Sequence, residues 1–297
     1  MFKIGCHLSI SLGHYKAAKN IIEIGGNTYQ YFSRNPQGGK AKAFDYDDFN
    51  KYLAFAKENE IKGLLCHAPY TLNPASEKDE VIEFATICFK EDLKVLELFD
   101  NALYNFHPGS CGKQDRNIGI DKIISILNDV MFEDMKTTIL LETMSGKGSE
   151  LGITFEEIAK IISGLKYKEH IGVCLDTCHV YSAGYDIKNN LDAVLKHFDS
   201  VIGLDKLKAI HLNDSRTPFN SRKDNHAKIG EGSIGLDAII NIINHPVLRD
   251  LPFYLETPND LEGFKEEIAL LKSKREEWFY ILWYTNIKVV IYWKPRY

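Results

Sequence analysis

Residues 171–179, IGVCLDTCH, decide how this chain is read. Ile171 to Leu175 is a short apolar run with the β-branched content of a strand buried on both faces. It ends on Asp176, with His179 three residues further on. A carboxylate or imidazole at the end of a buried strand loses its water and needs compensation. The same arrangement recurs along the chain. His67 ends LLCH, His107 ends LYNFH, Glu142 ends TILLE, His211 ends LKAIH and Glu256 ends PFYLE, while Asp224 and His226 share the segment KDNHAK. Five histidines and four carboxylates at or just beyond the ends of successive apolar runs suggest one shared polyvalent metal site.

Working outward from these runs, strands are expected at Lys3–Ser9, Thr28–Ser33, Gly63–Ala68, Ala102–His107, Thr137–Thr143, Ile171–Thr177, Leu207–Asn213 and Pro252–Thr257. They are spaced by about 25 to 45 residues, the length that a strand, a crossover helix and two loops require. Helical patterns fill the gaps. Asp45 to Glu60 carries Phe49, Tyr52, Leu53 and Ala56 on one face. Thr154 with Glu157 makes a capping-box signal before Ile158, and Pro246 stops the helix expected over Ala238–His245. Eight such units without a long linker predict an α/β fold, a (β/α)8 TIM barrel with the metal site at the C-terminal face of the strands. In an open sheet the first and last strands would lie too far apart to share an ion. The barrel domain is expected over residues 1–274. Residues 275–297, rich in aromatic and β-branched side chains, read as an atypical tail that packs on the barrel or promotes association, and one dispensable for catalysis.

The 297 residues are 44% apolar and 26% charged, as in ordinary soluble globular proteins with ample material for a sizeable core. Met1 to Ser9 reads as a strand rather than as a signal peptide. Six cysteines are too sparse for a disulfide scaffold, so a reduced, cytoplasmic setting is expected. The net charge of −5 does not exclude a phosphate-containing partner, because four of the acidic residues are proposed ligands. About three bound divalent ions would bring the total close to neutral, concentrated at one face.

Imidazole and carboxylate donors suit zinc or manganese, with zinc favoured as histidines accumulate. Nine donors are too many for one tetrahedral ion and enough for two or three if a carboxylate bridges. Cys174 and Cys178 flank Asp176 but are expected to pack, since the oxygen and nitrogen set is complete without them. His14, His170, His197 and His245 are expected at the surface. His7, ending the first strand, is expected in the barrel mouth, beside the ligands or a phosphate.

At this point the chain resembles a known family, the endonuclease IV apurinic/apyrimidinic endonucleases of base-excision repair. The resemblance runs from Met1 to about Lys274. It rests on FHPGS (Phe106–Ser110), LET (Leu141–Thr143), GVCLDTCH (Gly172–His179) with SAGYD (Ser182–Asp186), HLNDS (His211–Ser215) and SRKDNHAKIGEGSIG (Ser221–Gly235). It implies three zinc ions, with manganese in part as an alternative. His67, His107 and Glu142 would hold the first; Glu142, as a bridge, with Asp176, His211 and Glu256 the second; His179, Asp224 and His226 the third. Glu142 would be the catalytic bridging ligand that positions the attacking hydroxide. The implied reaction is hydrolysis of the phosphodiester 5′ to an abasic site, leaving 3′-hydroxyl and 5′-deoxyribose phosphate ends, with trimming of blocked 3′ ends. The implied partner is double-stranded DNA carrying abasic sites or blocked 3′ ends, with no membrane and a monomeric enzyme. DNA contacts are implied for Arg34, Asn35 and Gln37 in the loop RNPQGGK, for Tyr70 and Thr71, and for Arg222 and Lys223, with Lys228 a further phosphate contact. Gln37 and Thr71 depart from the arginine and leucine of some members, which shifts the wedge role onto Tyr70.

Two other readings use fewer of these residues. A sugar isomerase or epimerase on a related barrel needs Glu142, Asp176, His211 and Glu256, but not the other five ligands. A non-catalytic binder of damaged DNA would be expected to show a broken ligand set, and this one is complete.

Overall fold

The computed structural model describes residues 1–41 and 43–276, so most of the tail lies outside the described residues. The strands are β1 (Ile4–His7), β2 (Thr28–Phe32), β3 (Leu65–His67), β4 (Leu103–Phe106), β5 (Thr138–Glu142), β6 (Ile171–Asp176) and β7 (Leu207–His211). After a small ribbon, β8 (Asp214–Ser215) with β9 (His226–Ala227), comes β10 (Phe253–Leu255). All but the ribbon pair in parallel and close into an eight-stranded barrel, in the order β1-β10-β7-β6-β5-β4-β3-β2. Closure is made at Cys6, which stands opposite Leu255 on one side and Tyr29 on the other. The helices are α1 (His14–Glu23), α2 (Tyr46–Glu58), α3 (Asp79–Leu96), α4 (Arg116–Val130), α5 (Phe155–Ser163), α6 (Thr177–Ser182), α7 (Leu191–Val201), α8 (Leu236–Asn244) and α9 (Leu261–Ser273).

Inside the barrel, Leu65, Leu140, Cys174, Ala209 and Tyr254 form one buried cluster, with Leu103 against it. Side chains alternate across a strand. The next inward position after each plug residue is therefore His67, Glu142, Asp176, His211, Glu256 and, on β4, Asn105. The apolar plug thus fixes the level at which the polar residues face one another, at the C-terminal ends of the strands. Residues of the opposite parity, among them Ile139, Leu141, Val173, Ile210 and Phe253, pack outward against the helices. Each such side chain contributes about 1.5–3 kcal/mol by its burial.

Every expected strand is present, trimmed at its ends. His107 and Glu256 lie one residue beyond their strands, where the ladder gives way to loop. Asp45 is the N-cap of α2 rather than its first residue, accepting from the backbone N–H groups of Asp47 and Asp48, both at 3.0 Å. Phe49, Tyr52 and Ala56 are buried as expected, but Leu53 is exposed, because the helix buries a narrower stripe. Thr154 accepts from Glu157 N–H at 3.2 Å, one half of the capping box. The Glu157 carboxylate turns instead to the N–H groups of Gly152 and Ile153 and to the Arg116 guanidinium.

His14 corrects its surface assignment. It is a core residue, with Nδ1 3.2 Å from the Tyr29 hydroxyl and its ring edge-on to Tyr31. Burial pushes its pKa down to about 4, so it sits there neutral. His197 and His245 pair with Glu156 and Asp192, as expected of surface groups. All six cysteines are buried and free. No described helix is long and apolar enough to cross a membrane. Arg275 and Glu276, assigned above to the tail, lie against the end of α8: Arg275 donates to Arg249 O and Glu276 N–H donates to Asn244 Oδ1.

Candidate metal centre

Glu142 ends β5 and is completely buried. His67 Nε2 and His107 Nε2 lie 3.2 and 3.3 Å from its Oε2, and His211 Nδ1 and His179 Nδ1 lie 3.2 and 3.3 Å from its Oε1. Two imidazoles therefore face each oxygen of one carboxylate. His211 Nδ1 also stands 3.2 Å from Glu256 Oε2, with Asp176 Oδ2 at 3.9 Å. On the far side, His179 Nε2 and His226 Nε2 each approach Asp224 Oδ1 to 3.2 Å. The nine side chains named from the sequence thus converge at one end of the barrel.

Their donor atoms fall into overlapping groups within 4.8 Å: His67, His107 and Glu142; Glu142, Asp176, His211 and Glu256; Asp176, His179 and His226; and Asp224, His226 and Cys178. Burial pushes the Cys178 thiol up to about 11, so it stays protonated, and its sulfur points to Asn225 O at 3.8 Å.

Local structure explains the placement. Asp176 is the N-cap of α6 and accepts from His179 N–H at 2.7 Å, which turns the chain sharply from β6 and brings His179 back over it. Asp224 and His226 come from a different device. β8 and β9 pair antiparallel, Ser215 opposite His226, and present the loop between them to the barrel mouth. The ribbon is held by Asp214, whose carboxylate accepts from the N–H groups of Ser215, Gly230, Gly232, Ile234 and Gly235 at 2.8–3.3 Å. Gly232 has to be glycine here, since a Cβ would meet Asp214 Oδ1 at 2.4 Å.

Polar side chains missed in the sequence reading brace these donors. Asn105 donates to Glu142 Oε2 at 2.5 Å. Asn213 donates to Asp176 Oδ2 at 2.7 Å and accepts from Glu256 N–H at 2.9 Å. Thr143 Oγ1 accepts from Asp176 N–H, and Gln30 donates to Glu256 Oε1 at 2.6 Å. The signal for Asn105 and Gln30 was present: each is a polar residue inside an apolar strand.

The buried carboxylates and imidazoles shift one another. Burial would raise Glu142, but the imidazoles of His211 and His107 hold it well below the usual carboxylate range. Glu256 and Asp224 are pulled below theirs in the same way, against burial, by His211 and by His179. Against the burial that lowers it, Asp224, Asp176 and Glu256 lift His226 to about 9. His7 is different: burial drops it to about 4. A divalent ion fits this donor set. His179 Nε2 and His226 Nε2, both turned toward Asp224 Oδ1, are buried and make no hydrogen bond. Two donors about 2.1 Å from one tetrahedral ion stand about 3.4 Å apart, close to the separations seen here.

The DNA residues named from the sequence are not all at the surface. Tyr70 is 57% exposed, at the mouth, with its ring against those of Phe32, His67 and His107. Thr71, Asn35, Gln37, Arg222, Lys223 and Lys228 are exposed. Thr71 packs beside Gly38, and Asn35 Oδ1 accepts from Gln37 N–H, which ties the loop to itself. Arg34 is a correction. Its guanidinium is buried, pairing with Glu91 at 3.1 Å and with Asp92. Asp92 also accepts from the Tyr104 hydroxyl and is buried on α3, so it needs a counter-charge, which Arg34 supplies. Arg34 anchors the loop and is withdrawn from any phosphate.

Residues 18–274 match the family described as xylose isomerase-like TIM barrel. The chain is 58% identical over 273 residues to "Probable endonuclease 4" of Clostridium botulinum, covering 92% of this chain and 99% of that one. Endonuclease IV from Thermus thermophilus superposes with a TM-score of 0.81 at 27% identity, over 92% of this chain and 98% of its own. A D-tagatose 3-epimerase-like protein, with a TM-score of 0.68 at 20% identity over 92% and 96% of the two chains, shares the fold. Bearing these relatives along nearly its whole barrel, the chain belongs to the endonuclease IV family.

Proposed function

We propose that this protein is an abasic-site endonuclease of base-excision repair. It hydrolyses the phosphodiester 5′ to an abasic deoxyribose in duplex DNA, leaving a 3′-hydroxyl and a 5′-deoxyribose phosphate, and trims blocked 3′ ends. The observation that carries the reading is Glu142, one buried carboxylate with two imidazoles at each oxygen. Three zinc ions, in part replaceable by manganese, would be held as follows: His67, His107 and Glu142; Glu142, Asp176, His211 and Glu256; His179, Asp224 and His226. Such ions supply Lewis-acid charge and a water made acidic enough to attack phosphorus at neutral pH.

The chain's own residues prepare the rest. Asn105 keeps Glu142 from rotating, so its two oxygens stay divided between two groups of donors. Asn213 spans Asp176 and Glu256 and holds those carboxylates at a fixed separation. Tyr70, exposed above His67 and His107, enters the gap left by the missing base. Arg222 and Lys223 meet backbone phosphates and set register without reading sequence. Asn35, Gln37 and Thr71 lie in the loops beside Tyr70 and meet the strand next to it. Residues 1–274 constitute the catalytic unit, acting as a monomer. The buried free cysteines support a reducing, cytoplasmic setting.

The test is incision of a duplex with a single abasic analogue by protein whose zinc has been measured. Cleavage on the 5′ side by enzyme with about three ions per chain is expected. Intact duplex after treatment with folded, fully metallated protein overturns the reading.

A further inference from the structure

Gln30 is fully buried on β2 and serves two groups at once. Its amide nitrogen lies 2.6 Å from Glu256 Oε1 and 3.0 Å from His7 Nδ1. An amide nitrogen donates two protons and accepts none. Only this end of the amide can face the carboxylate, because the reverse orientation would set the amide oxygen against Glu256 Oε1 with no proton between them. Glu256 therefore fixes the amide, and the amide fixes His7. His7 Nδ1 has to accept, which leaves the ring neutral with its proton on Nε2. An imidazolium would bring Nδ1–H against N–H.

The ring is held in that role. β1 and β2 pair with His7 opposite Gln30, and the His7 ring lies 4.3 Å from that of Phe32. Phe32 in turn packs against Tyr70 and His67. His7 ends β1 at the strand ends where the ligand cluster gathers, and it remains partly exposed there while Gln30 is covered.

We propose that His7 is a substrate-contact residue, locked by Gln30 as the neutral Nε2–H tautomer, which donates to a phosphodiester oxygen of the DNA strand in the barrel mouth. Gln30 is its positioning residue. The contact rests on the endonuclease reading, whereas the tautomer does not.

Two measurements test this on the zinc-loaded full chain. Ring-nitrogen shifts of protein with isotope-labelled histidines, assigned with His7→Phe, report the tautomer. The Nε2–H form is expected, with the preference lost in Gln30→Leu. An Nδ1–H or cationic His7 in the wild type overturns the lock. The second arm is kinetic. His7→Phe keeps a ring against Phe32 and removes the donor. It is expected to keep its zinc while kcat/KM on abasic duplex falls about 10- to 100-fold, the loss typical of one hydrogen bond to a charged group. Equal activity of His7→Phe and an active wild type overturns the contact alone, as does zinc loss in the variant. A wild type that leaves abasic DNA intact overturns the contact together with the endonuclease reading.

Discussion

Glu142 contributes through the way its two oxygens are divided. The Glu142→Gln amide keeps the size but presents one N–H2 to a pair of imidazoles, so one set of donors loses its shared oxygen. Incision should fall more than about 100-fold, beyond the loss typical of outer-shell changes, with the fold intact by circular dichroism. Near-normal turnover would end the bridging assignment. Tyr70 acts on a different step. Its ring lies over His67 and His107 and supplies none of the grouped donors. Tyr70→Ala should weaken binding of abasic duplex by about 1–3 kcal/mol, the worth of one stacked base. Single-turnover cleavage of bound DNA should change less. A collapse of that rate at unchanged affinity would make Tyr70 an orienter rather than a wedge. Residue type announced the converging donors, but not what Arg34 does. A loop arginine reads as a phosphate contact until a buried Asp92, far along the chain, is seen to claim it.

Among the elements, the β8–β9 ribbon has the greatest consequence for its size. It brings Asp224 and His226 to a barrel otherwise furnished by strand ends and by the first turn of α6, and Asp214 holds it through five backbone N–H groups. Asp214→Asn turns an N–H2 toward some of those donors and should destabilise the loop by about 1–3 kcal/mol. Elemental analysis should then find about one zinc fewer per chain, with limited proteolysis cutting first near the ribbon. A variant that keeps all its zinc would show that the ribbon does not depend on Asp214. Two-residue strands carry too little periodicity to be seen in sequence, so this element was invisible although its two donor residues were not. The eight barrel strands were legible because each is a buried run of uniform character. Their ends were not, because hydrogen-bond pairing rather than composition decides where a ladder stops.

At the level of the whole molecule, the site joins distant parts of the chain. The rings of His67 on β3 and His211 on β7 stack, their centroids 5.9 Å apart, only because the sheet closes. Divalent ions bound there should therefore stabilise the entire barrel. At free ion concentrations a thousandfold above Kd, one site adds about 4 kcal/mol. For a domain of this size that raises Tm by roughly 8–16 °C. Calorimetry before and after exhaustive chelation should show such a fall, restored by zinc. An unchanged melting curve would mean that the ligands are linked to folding by nothing but proximity.

The sequence by itself determined the alternation of strand and helix, the level at which polar residues interrupt the apolar runs, and the identity of all nine converging donors. These are local properties: a period of two, a period of 3.6, and the penalty for burying an uncompensated charge. Only the tertiary structure decided which donors share an oxygen of Glu142, that Asn105, Asn213 and Gln30 brace the carboxylates, that His14 is core, and that Arg34 faces inward. Those outcomes depend on side chains meeting across the closed barrel and its helices, and no single segment carries the distances between them.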